Sequence, residues 1–271
     1  MVCMANSHNI AVLGGGQIGE ALVSGLINSG YSGDQITVTN RSDEKQTYFS
    51  DTYGVFTTSD NLAAVEGADY IFACVKPYGI VSLLEEIGAS IAPGAVVVSM
   101  AAGVMLDAME KALPEGAAVV RVMPNTPMLV GAGMNACAPG AGVSEEQMDG
   151  VVQLLESVGA VVVVEEKDMD AVTALSGSSP AYYFLVTEAL VDAGVNLGLK
   201  RDVAEKLATS AAAGAGKMLA ESGKDPVTLR ANVSSPGGTT VAALRELEES
   251  GIRGAFFRAA QACADRSKEM G

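Results

Sequence analysis

Up to residue 165, short unbroken apolar runs alternate with stretches whose apolar positions recur at helical spacing. The runs Ile10–Leu13, Ile36–Asn40, Tyr70–Val75, Ala95–Met100 and Ala118–Met123 are rich in β-branched residues and predict strands. Between them, Gln17–Ser29, Ser42–Asp51 and Gly79–Ser90 predict helices. Strands that are apolar on both faces and separated by helices predict a parallel sheet covered on both sides. That is a doubly wound α/β, or Rossmann-type, domain. Turn residues fall where this scheme needs them, at Lys76-Pro77, Pro93-Gly94, and Pro114 with Gly116. One or two further strands are expected at Ala132–Ala138 and Val161–Val164, with a helix over Ser144–Ser157.

After Glu166 the strand-like runs stop. Ala, Leu, Glu and Lys dominate in long helical patterns over Ala181–Leu199, Arg201–Glu221, Gly238–Ser250 and Ile252–Met270. The small-residue stretch Ser210–Gly216 allows helices to approach closely. Two domains are expected: a Rossmann-type domain over 1–166 and an all-helical one over 167–271.

Composition narrows the chemistry. Apolar residues make up 49% of 271, enough for a substantial core. A net charge of −15 argues against a nucleic-acid partner, which would need a broad basic face. With 5% aromatics and no Trp, a stacking platform has little material. His8 is the one histidine and lies in a polar stretch, read as a solvated residue near the terminus. A Ser/His/Asp triad and a multi-His metal site are therefore disfavoured, and no metal is expected. Cys3, Cys74, Cys137 and Cys263 are widely spaced with no CxxC, which suits free thiols in a reducing compartment. No apolar stretch reaches the ~18–20 residues of a membrane helix. The segment Met1–Asn9 lacks the basic and apolar regions of a secretory signal. A cytoplasmic location without a membrane partner is the expectation.

The clearest local motif is Gly14-Gly15-Gly16-Gln17-Ile18-Gly19, directly after the first strand and opening a helix. It has the G-x-G-x-x-G form: Gly14 for the turn, Gly16 for approach of a pyrophosphate, Gly19 for close helix–strand packing. The second strand then ends Thr39-Asn40-Arg41-Ser42 with no carboxylate to accept a ribose 2′-OH. Arg41 offers planar donors to a 2′-phosphate, so NADPH is expected over NADH. Lys76, at another strand end, suits either a phosphate contact or a helix cap. Arg121-Val-Met-Pro-Asn-Thr-Pro127 reads either as a rigid turn or as a wall beside the nicotinamide.

In the helical half, Asn232-Val-Ser-Ser-Pro-Gly-Gly-Thr-Thr240 gathers hydroxyls and backbone N–H groups at a helix start, a combination suited to a small carboxylate. No Lys, Arg or His occurs from Gly177 to Leu199. Oxidising an alcohol needs a base, whereas a cyclic imine can be protonated before hydride arrives. The missing base favours imine chemistry, and the Thr240 hydroxyl is the best-placed candidate catalytic group.

Read in order, GGGQIG, CVKP, SMAAG, RVMPNTP, ALSGSSPAY and NVSSPGGTT resemble pyrroline-5-carboxylate reductase over residues 9–268. One departure is Ser179, where the family usually has Gly. The resemblance implies NADPH-dependent reduction of 1-pyrroline-5-carboxylate to L-proline, the last step of proline biosynthesis. It implies cofactor contacts at Gly14, Gly16, Gln17, Ile18, Gly19, Asn40, Arg41, Ser42, Asn61, Val75, Lys76, Pro77 and Asn232. Substrate contacts are implied at Val233, Ser235, Thr239 and Thr240, and near Glu166. A homodimer through the helical domains is implied, assembled into a decamer, with each site completed by a neighbouring subunit. The alternatives are a reductase of another cyclic imino acid or a hydroxyacid, and a non-catalytic NADP-binding regulator.

Overall fold

The computed structural model describes residues 8–270. Cys3 and most of the stretch read for a secretory signal lie outside the described residues. The chain divides into two compact units, residues up to Gly177 with those from Cys263 onward, and Ser178–Ala262.

The first unit is built on one sheet. Its elements run β1 (Ile10–Leu13), α1 (Gln17–Asn28), β2 (Ile36–Thr39), α2 (Asp43–Tyr53), β3 (Phe56–Thr58), α3 (Asn61–Val65) and β4 (Tyr70–Ala73). They continue through α4 (Ile80–Ile87), β5 (Val96–Ser99), α5 (Leu106–Lys111), β6 (Ala118–Met123), β7 (Gly133–Pro139), α6 (Glu145–Leu155), β8 (Gly159–Val163) and α7 (Met169–Val172). The strand order is β3-β2-β1-β4-β5-β6-β7-β8. The order reverses between β1 and β4, the switch point at which such sheets bind ligands beyond their carboxyl ends.

The doubly wound fold is therefore the one the pattern predicts, with one correction. The sheet is not wholly parallel: β7 runs antiparallel to β6, pairing Val122 with Cys137, and β8 follows β7 in parallel. The connection from Met123 to Gly133 contains only a short 3-10 turn, Thr126–Val130. An antiparallel return needs no crossover helix, whereas a parallel one does. Side chains alternate between two cores. Val12, Val38, Phe72, Val98 and Val120 pack on one face, and Leu13, Ile71, Val97 and Val119 on the other.

The expected strands at 70–75 and 95–100 are shorter than their apolar runs. Cys74–Pro77 leaves the sheet at β4, and Pro77 opens a 3-10 turn. The edge strand β3 and the short helices α3 and α5 were not marked by the apolar pattern.

The second unit contains α8 (Ser179–Asn196), α9 (Arg201–Glu221), α10 (Pro226–Asn232), α11 (Thr239–Glu249) and the larger part of α12 (Ile252–Met270). Its buried cluster is Val191, Ala204 and Ala208, supported by Val195. Close approach occurs at Gly194 on α8, where an added Cβ would lie 3.1 Å from that of Ala204. The stretch Ser210–Gly216, expected to pack tightly, is exposed along its length. Phe184, Leu185, Leu190 and Phe257 are each more than half exposed. No helix of the described residues is long and apolar enough to cross a membrane.

Candidate active site

The switch point of the first unit opens into a cleft of about 990 Å³. Its floor is the glycine loop. Gly14 takes φ +106°, a left-handed conformation that glycine adopts without strain, and its N–H donates to Thr39 Oγ1 at 3.2 Å. Gly15 N–H donates to the Thr39 carbonyl at 3.1 Å, so the loop is fastened to β2. Gly16 caps α1 without any side-chain hydrogen bond, and a Cβ there would meet nothing within 4 Å. The free N–H groups of α1 thus face open space, the arrangement a pyrophosphate requires. Gly19 is buried one turn on, where a Cβ would overlap the Gly14 carbonyl oxygen.

The cleft walls carry Arg41, Lys45 and Lys76 against one carboxylate, Glu86, a local excess of two positive charges in a chain of −15. Arg41 is exposed and has no ion-pair partner among the described residues. Asn40 donates through Nδ2 to the Gly15 carbonyl at 3.3 Å and accepts at its own carbonyl from Gln46 Nε2 at 2.8 Å. Asn61 lies opposite and donates to Glu86 at 3.3 Å. Gln17, Ile18, Val75 and Pro77 also line the cleft. Ser42 does not line it; its hydroxyl accepts from the Lys45 N–H and caps α2. Cys74, half-buried, lines the wall, and desolvation pushes its thiol up to about 12. The donor set, the open glycine loop and the charge all fit an anionic dinucleotide.

The segment Asn232–Thr240 belongs to the second unit. Asn232 ends α10, and Val233 follows, exposed. Ser235 accepts at its carbonyl from Gly238 N–H at 2.9 Å, and Gly237 takes φ +71°, closing a tight turn into α11. Gly238 caps α11 with no side-chain hydrogen bond, leaving the N–H groups of Thr239 and Thr240 without a cap. The hydroxyls of Ser235, Thr239 and Thr240 have no partner among the described residues. The turn presents an uncapped helix N-terminus with three hydroxyls around it, which suits a carboxylate and a neighbouring polar atom.

Comparison with known proteins agrees with both halves. Residues 9–103 match the family model "NADP oxidoreductase coenzyme F420-dependent", and residues 166–270 match "Pyrroline-5-carboxylate reductase dimerisation". The pyrroline-5-carboxylate reductase of Corynebacterium melassecola is 59% identical, over 97% of this chain and 98% of that one. The chain belongs to the pyrroline-5-carboxylate reductase family. The Escherichia coli member is 40% identical over 96% of this chain and 97% of its own. Among solved family structures, that from Coxiella burnetii superposes with a TM-score of 0.95 at 38% identity, covering 98% of this chain and 99% of that one. The Plasmodium falciparum structure, which has NADP bound, gives 0.85 at 30% identity, covering 98% of each. The fold assignment, the oxidoreductase class and homo-oligomerisation through the helical part follow from membership.

Two family segments quoted above meet inside the first unit. Asn125, of RVMPNTP, donates to the Ser176 carbonyl at 3.1 Å and accepts from Met134 N–H at 2.9 Å. Ser176 lies in a π-helical turn, Thr173–Gly177, a widened geometry that recurs at functional sites. Arg121 is buried and forms an ion pair with Glu166 at 2.9 Å. The same Glu166 oxygen accepts from Leu106 N–H at 2.7 Å, fixing the start of α5. The expected substrate neighbour Glu166 is therefore engaged by its own chain. Ser179, where the family usually has Gly, begins α8; no described residue other than Gly has positive φ, so the exchange strains nothing. Sequence reasoning missed Lys45, Ser59, Ser82 and Glu86 in the cleft. Their one signal is charge or polarity on helices and loops that read as ordinary solvated faces.

Proposed function

We propose that this chain reduces 1-pyrroline-5-carboxylate to L-proline with NADPH. The observation that carries the reading is the Asn232–Thr240 segment, kept whole and folded into an uncapped helix start with unpartnered hydroxyls. A regulator that had lost catalysis would have no need of such a substrate turn.

Gly14–Gly19 would hold the pyrophosphate on the α1 N-terminus, with Asn40 and Arg41 at the adenosine ribose and Arg41 on its 2′-phosphate. Bound NADPH supplies the hydride that adds to the imine carbon. The N–H groups of Thr239 and Thr240 and the Ser235 hydroxyl would bind the substrate carboxylate. Val233 would pack on its ring. The Thr240 hydroxyl would hydrogen-bond the imine nitrogen and hold its proton as the nitrogen becomes an amine. No strong base is required, because the protonated imine is already the electrophile. The working assembly in this reading is a dimer through the helical parts, built up to a decamer, in the cytoplasm. Following NADPH absorbance with pyrroline-5-carboxylate tests the activity. Turnover with this imine and none with 2-hydroxy acids is expected; the reverse would favour a hydroxyacid reductase, and no turnover with either a regulator.

A further inference from the structure

Lys45 is a cation of the cleft that the glycine loop and Arg41 do not account for. We infer that Lys45 is a further specificity-determining residue, its ammonium joining Arg41 on the 2′-phosphate of NADPH. The inference rests on the NADPH reading above.

Lys45 lies in the first turns of α2, and its side chain reaches back over the glycine loop, with Nζ 3.3 Å from the Gly15 carbonyl oxygen. The same oxygen accepts from Asn40 Nδ2 at 3.3 Å. The two donors therefore converge at the tip of β2, beside Arg41. An ammonium carries three protons, and Gly15 takes one. No carboxylate among the described residues forms an ion pair with Lys45. Its helix neighbours Asp43 and Glu44 do not line the cleft, and Glu86, which does, is bonded to Asn61. Donors are thus left for a ligand at the ribose end.

A phosphate monoester carries a charge near −2 at neutral pH. One exposed guanidinium balances only part of it. A ribose 2′-OH offers an acceptor but no charge, so a second cation there favours NADPH without helping NADH. If Lys45 instead touched the pyrophosphate, which both cofactors share, it would strengthen both alike.

Titration calorimetry with NADP+ and NAD+ on the full-length wild type, Lys45→Gln and Lys45→Arg separates these cases. Lys45→Gln is expected to weaken NADP+ about 10-fold and to leave NAD+ within about twofold. Lys45→Arg, which keeps the charge, should retain most of the NADP+ affinity. Equal losses for both cofactors, with the wild type still preferring NADP+, would overturn the inference and leave Lys45 as a brace on Gly15 or a pyrophosphate ligand. A wild type without preference for NADP+ would overturn the NADPH reading itself, and this inference with it. Thermal melting of each variant confirms that losses do not arise from unfolding.

Discussion

The two units solve the problem of burial in opposite ways. In the first, eight strands place alternate side chains into two cores, so that Val12, Phe72 and Val98 on one face and Leu13, Ile71 and Val97 on the other are all out of water. In the second, the buried cluster amounts to Val191, Ala204 and Ala208, while Phe184, Leu185, Leu190 and Phe257 stand in solvent. A sheet with helices on both faces covers its own apolar surface. Helices that are apolar on more than one side cannot do so within one chain, and such exposed surface marks an association site. The difference teaches that the lining of the cleft comes from the first unit's own residues, whereas the helical unit leaves apolar surface that its own chain does not cover. Family membership shows homo-oligomerisation through this part of the chain, and association of copies would give such exposed surface a cover.

The comparison is broken most severely on α8. Replacing Phe184 and Leu185 together by Asp removes two apolar side chains at roughly 1.5–3 kcal/mol each. The dimer dissociation constant should rise by about 100- to 10,000-fold, while NADP+ binding by the first unit hardly changes. Light scattering showing variant oligomers of unchanged size, or a wild type that is already an active monomer at submicromolar concentration, would contradict this. Next in size is a change confined to the first unit. Glu166→Ala leaves the Arg121 guanidinium buried without its carboxylate and takes the acceptor from Leu106 N–H. A stability loss of about 3 kcal/mol is expected, read as a lower denaturation midpoint. An unchanged midpoint would mean that water replaces the carboxylate.

Two smaller effects sharpen the division of labour. Arg41→Asp, in the first unit, should lower the preference for NADPH over NADH by about one to two powers of ten, from the loss of a charge-assisted bond of roughly 1.5–3 kcal/mol. Calorimetry with both cofactors checks it, and equal losses would remove Arg41 from the 2′-phosphate. Thr240→Val, in the second unit, should lower kcat by about 10- to 100-fold, for a loss of ~1.4–2.7 kcal/mol, with NADPH affinity unchanged. Steady-state kinetics with unaltered kcat and KM for the imine would leave the backbone N–H groups and Ser235 to account for the turn.

Much of this was legible in the chain. The order strand, glycine loop, helix was plain over Ile10–Asn28, because turn, anion approach and close packing each demand glycine at a set spacing. The long helices α8, α9, α11 and α12 were legible too, since apolar recurrence at helical spacing survives whether or not the face is covered, whereas the short α10 was not. Strand direction was not. An apolar run such as Gly133–Pro139 reads identically in either sense, so the antiparallel β7 became visible only through its pairing with β6. Nor could spacing reveal Asn125 holding Ser176, or Arg121 meeting Glu166.

The sequence by itself determined the central strands and long helices, the glycine loop, the carboxylate-free tip at Asn40-Arg41 and the hydroxyl-rich turn into α11, since each is a local demand on apolar patterning, backbone freedom, charge or hydroxyl chemistry. The tertiary structure alone decided that Lys45 reaches over to Gly15, that Glu86 faces Asn61, and that Ser210–Gly216 remains bare. Charge and small side chains look alike on any helix. What they touch depends on which distant segment the sheet order and the helix pairing bring alongside, and that is a property of the packed chain rather than of its neighbours in sequence.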